Sequence, residues 1–102
     1  MKIKTEEIIF SANILFRGIK DGIPSTEDIW EESVVLIISE NEEDALKKAE
    51  EMGRGNEVSY KTMNGNMLSW KFVRVERVFE ILNFQLRDGM EVFSRYMKNS
   101  EI

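Results

Sequence analysis

Arg74, Glu91 and Arg95 have the residue types and spacing for binding chemistry: guanidiniums and a carboxylate set within strand-like runs, near the indole of Trp70. Glu91 and Arg95 stand four apart with Phe93 between them, so an extended segment presents all three on one face. Guanidiniums brought together beside an aromatic ring clamp a small carboxylate or phosphate. The commoner outcome for such residues is a cross-strand salt-bridge ladder on a solvated face. Trp30 and Trp70 have the same two readings, as stacking platforms or, more often, as anchors in a core or a dimer interface.

Catalysis has little to work with. The chain holds no histidine and no cysteine, which removes the usual general base, the thiolate nucleophile and the commonest metal ligands. The acid pairs Glu6-Glu7, Glu31-Glu32, Glu42-Glu43 and Glu50-Glu51 are sequential neighbours, which diverge on a strand or helix rather than converge. Asp21-Gly22, Asp88-Gly89 and Gly53-Arg54-Gly55 lack both the oxygen ladder of a calcium loop and the Gly-Lys-Ser/Thr ending of a phosphate loop. No catalytic residue, metal site or cofactor is predicted.

The elements that must position these residues read as follows. Ile8 to Arg17 alternates, with Phe10, Ala12, Ile14 and Phe16 on one apolar face. A connection of more than a dozen residues follows from Gly18, with Trp30 as its large anchor. Val34 to Ile38 is uninterrupted apolar sequence, the pattern of a strand covered on both faces, and predicts a central place in the sheet. Asn41 is placed to cap a helix opening on Glu42-Glu43-Asp44 and carrying Ala45, Leu46, Ala49 and Met52 on one stripe, with Gly53 as its left-handed terminator. The two alanines predict a close helix-to-sheet approach.

Asn64-Gly65 between two strand-like runs predicts a hairpin with a type I′ turn. On the return strand the apolar set shifts phase by one residue, which predicts a bulge near Phe72. Ile81 to Leu86 fits strand, helical turn or packed loop. Arg87-Asp88-Gly89 reads as a turn and Glu91 to Met97 as a last strand. The sum is one domain over residues 1–102: an α+β fold with a five-stranded, mainly antiparallel sheet and one helix on one face, in the order β-β-α-β-β-β.

Ala12-Asn-Ile-Leu-Phe16, Trp30-Glu-Glu-Ser-Val-Val-Leu-Ile37, Glu42-Glu43 with Ala45 and Ala49, Trp70-x-Phe72 and Asp88-Gly-x-Glu-Val-x-Ser-Arg95 together carry a resemblance. The chain resembles a family of short bacterial proteins known only as a domain of unknown function. That resemblance implies a small cytosolic α+β domain and no activity.

Surfaces are therefore where function is to be sought. Five strands span about 24 Å, whereas one helix with its side chains covers about 10 Å. The chain carries 6 Phe, 2 Trp, 2 Tyr and 6 Met, more bulky apolar surface than such a helix hides, and the remainder predicts an interface. The leading expectation is a non-enzymatic interaction module acting as a homodimer. The alternatives are an immunity-like acidic inhibitor of a basic toxin enzyme and a small-anion pocket near Trp70 and Arg95; a sheet curled onto itself would need no partner. A net charge of -5 opposes nucleic acid and anionic membranes and favours a basic partner. The acidic N-terminus and the absence of a long apolar run predict a cytoplasmic protein, neither exported nor membrane-embedded.

Overall fold

Strand β1, Ile8–Lys20, is the centre of the fold. The side chains Phe10, Ala12, Ile14 and Phe16 are buried beneath the helix, as their alternation predicts. β1 pairs antiparallel on one side with β2, Ile29–Ser39, and on the other with β4, Met67–Ile81. The short β3, Val58–Lys61, adds to the far side of β4. The computed structural model describes residues 7–81 and 86–102, and within them the sheet has four strands in the order β2-β1-β4-β3.

The α+β class and single-face helix match the expectation; the strand count does not. Residues 91–97 form no ladder with any strand of the described residues. They cross the second face of the sheet instead, where the Ser11 hydroxyl donates to the Val92 carbonyl. There the Phe93 ring meets Phe79 edge-on at 5.9 Å between centroids. Within residues 91–97 Phe93 alone is partly covered, so one ring resting on the sheet takes the place of strand pairing. The expected turn before this segment is present: the Met90 N–H donates to the Arg87 carbonyl at 3.3 Å, and Gly89 takes φ of +84°. The ambiguous stretch beyond Ile81 falls largely on residues 82–85, outside the described residues.

The apolar run Val34 to Ile38 also needs correction, because β2 is an edge strand and β1 the central one. β2 buries Ile37 on its helix-facing side, whereas it leaves Val34 and Leu36 exposed on the other side. Its connection to β1 is shorter than expected, because β1 continues to Lys20 and leaves only residues 21–28 between the strands.

Helix α1, Glu42–Gly55, lies across β1, β2 and β4. The Asn41 side chain accepts the Asp44 N–H at 2.8 Å, the cap predicted for it. Ala45, Ala49 and Gly53 form the buried ridge, while Leu46 and Met52 are exposed. Gly53 does not end the helix. It stands inside it because a Cβ there would overlap the Phe72 ring, so the helix approaches the sheet closely at this residue.

The hairpin at Asn64-Gly65 is present, but its loop is wider than a type I′ turn. It is closed by Thr62 N–H to the Asn66 carbonyl at 2.7 Å and Gly65 N–H to the Thr62 carbonyl at 3.0 Å. Gly65 alone of the central pair takes positive φ, +85°. The phase slip near Phe72 is a true register break, since Leu15 faces Arg74 and Phe16 faces Phe72, leaving Val73 unmatched. A second break leaves Glu76 unmatched between Val75 and Arg77.

Candidate functional site

The two outer edges of this sheet are built differently. β2 keeps an unbroken register with β1 from Ile8 opposite Ser39 to Gly18 opposite Ile29. Its β-branched run suits a regular pleat, and among the described residues no strand lies beside its outer backbone groups. On the face away from α1, Trp30 is 49% exposed, Val34 53% and Leu36 52%. These apolar side chains share one side because residues two apart on a strand do so.

Arg17 holds one end of this stripe in place. Its guanidinium lies 5.1 Å from the Trp30 ring centroid, a cation–π contact. It also donates to the Asp28 carboxylate at 2.8 Å and to the Ser25 carbonyl at 3.0 Å. Asp28 in turn accepts the Ser25 N–H at 3.0 Å, so the loop before β2 is tied down. At the other end the Lys48 ammonium donates to the Ile38 carbonyl at 2.6 Å. The open stretch of β2 is bounded by these two cations.

The opposite edge is broken up. β3 covers only Met67 to Trp70 of β4, and the next exposed amide, Phe72 N–H, donates to the Glu57 carboxylate at 2.9 Å. The two register breaks then bend the strand, and Arg74 pairs with Glu76 at 2.8 Å. Bulges and charges are the devices that keep an edge strand from pairing indiscriminately.

Beyond the bulges, a groove of about 750 Å³ follows this edge between the start of α1 and the C-terminal segment. Leu46, Val75, Val78, Phe79 and Phe93 give it apolar walls, and Glu42, Glu43 and Glu76 stand around it. Its cation, Arg77, is engaged over the Phe93 ring at 5.9 Å.

The residues singled out in the sequence are scattered over these surfaces. Trp70 faces α1 opposite Gly18, where a Cβ on the glycine would stand 3.1 Å from the indole, and its ring N–H donates to the Tyr60 hydroxyl at 3.1 Å. Arg74 sits opposite Leu15, on the other face, and pairs with Glu76. Glu91 and Arg95 are exposed on the C-terminal segment. Trp30, expected in a loop, lies within β2 under Arg17. Sequence reasoning did not find the Arg17–Trp30–Asp28 arrangement; the available signal was a cation ending β1 across a turn from an acid and an indole.

Residues 9–94 match the family described as Domain of unknown function (DUF4288). The chain belongs to this family. The resemblance drawn from the sequence is therefore correct at family level, and the DUF4288 domain is an α+β fold with its helix on one sheet face. No curated protein and no solved structure matches the chain. Among the described residues no three acidic side chains are grouped to hold a metal ion, and no helix is long and apolar enough to cross a membrane.

Proposed function

We propose that this DUF4288 domain is a non-enzymatic interaction module of the bacterial cytoplasm that works as a homodimer, two copies pairing antiparallel through β2. The observation that carries this reading is the regular, unpaired β2 edge with its exposed Trp30, Val34 and Leu36. A flat apolar edge of that kind is a template for another strand.

The edge is complementary to itself. Antiparallel pairing centred on Ser33 sets Trp30 opposite Leu36 of the second copy, Glu32 opposite Val34 and Glu31 opposite Val35. Apolar surface meets apolar surface at both ends, and no two carboxylates are directly opposed. Such an isologous contact uses up the β2 edge of both copies. What remains at the rims of the joined sheet is the bulged, charged β4 side and the short β3, so growth stops at two.

Multi-angle light scattering tests the reading. The expected mass is twice the 11.9 kDa of the chain, falling to the single-chain value in the double variant Val34→Glu with Leu36→Glu while the far-ultraviolet circular dichroism stays unchanged. A wild-type chain that remains a monomer at several hundred micromolar would refute it.

A further inference from the structure

The groove along β4 has a different character from the β2 edge, and we infer that it receives a basic, extended segment of another protein, which adds as a strand beside Arg77 to Ile81. The backbone there is suited to it. From Arg77 opposite Asn13 to Ile81 opposite Ile9 the register with β1 is regular, and no strand of the described residues lies on the outer side. The two bulges end just before this stretch, so a guest has a short, defined site and cannot extend along the whole strand.

Strand addition supplies main-chain hydrogen bonds, and pockets for alternate side chains supply the choice of guest. Here the side of the guest turned away from α1 would meet Phe79 and Phe93. Its other side would meet Leu46 and Val78 together with Glu42 and Glu43 on the first turn of α1. Arg77 keeps its charge over the Phe93 ring and Glu76 is paired with Arg74, so the negative charge of the rim rests on Glu42 and Glu43, which together outweigh Arg77. A basic guest is attracted and the domain's own β2 edge, with Glu31 and Glu32, is repelled. Charge thus separates the two edges: one takes a second copy and the other takes a foreign strand.

The probe is a fluorescently labelled, end-capped heptapeptide of alternating Lys and Val, followed by anisotropy at low salt. Saturable binding of one peptide per chain is expected, with affinity about tenfold weaker in Glu42→Gln with Glu43→Gln and unchanged in Glu31→Gln with Glu32→Gln, which alters net charge equally. Alternating Glu and Val, or N-methylation of every second amide of the Lys peptide, should abolish binding. The inference is overturned if the Lys peptide shows no saturable binding, if both double variants weaken it equally, or if the N-methylated peptide binds as well as its parent. Light scattering on the same samples reads self-association separately, so failure of the homodimer would leave the peptide result standing.

Discussion

The β2 edge and the β4 edge belong to one sheet, yet they treat an incoming strand in opposite ways. β2 runs for 11 residues without a register break, and its outward apolar side chains are exposed. β4 runs for 15 residues but is broken at Val73 and Glu76, paired off at Arg74–Glu76, and guarded at Phe72 by Glu57. One edge is left plain and the other is defended over most of its length. Unpaired backbone alone therefore does not make an interface; regularity and the charge beside it decide what binds.

The largest effect is expected from Val34→Glu with Leu36→Glu. In the Ser33-centred register this sets a new carboxylate against Glu32 of the second copy and another against Trp30. Dimer affinity should fall at least about a hundredfold, or about 2.8 kcal/mol, by sedimentation equilibrium, while heptapeptide binding at β4 stays within twofold. Gly53→Ala acts on the β4 side. Alanine improves helix propensity by up to about 1 kcal/mol, but its Cβ overlaps the Phe72 ring and overpacking of this kind costs about 1 to 3 kcal/mol. The overlap is expected to win, with a net loss of about 1.5 kcal/mol in urea unfolding and a weaker peptide complex.

Smaller losses are expected from two single substitutions. Asp28→Ala removes the partner of Arg17, whose carboxylate is almost fully covered. A loss of about 1.5 kcal/mol is expected for this charged hydrogen bond, together with weaker dimerisation because Trp30 is less well held. Asn41→Ala removes the helix cap and should cost about 1 kcal/mol by thermal unfolding. It frays the turn bearing Glu42 and Glu43, so it should touch peptide binding and spare the dimer.

Much of this fold is legible in the chain. The alternation of Phe10, Ala12, Ile14 and Phe16 gives β1 and its buried face, Asn41 gives the start of α1, and the phase slip after Trp70 gives the bulge at Val73. The misreadings share a cause. Val34 to Ile38 looks the same whether both faces of a strand are covered or one is left open, so local pattern could not place β2 at the edge. Gly53 looks like a helix terminator because the approach of Phe72 is a tertiary fact. Glu91 to Met97 looks like a strand because it is extended and carries Phe93, yet its anchors are one ring on Phe79 and one backbone carbonyl on Ser11, with no ladder. Trp70 and Arg74 are four apart, and without bulges they would share a face; the unmatched Val73 sends them to opposite ones. The candidate site suffers most from this, since edges and grooves are made by what fails to pair.

Amide hydrogen exchange measured at protein concentrations well above and well below the dimer constant tests self-pairing through β2 most directly. Protection across Ile29 to Ile37 should rise with concentration, and exchange along Arg77 to Ile81 should not change. Protection that is independent of concentration at β2, or that rises at β4 instead, would contradict it.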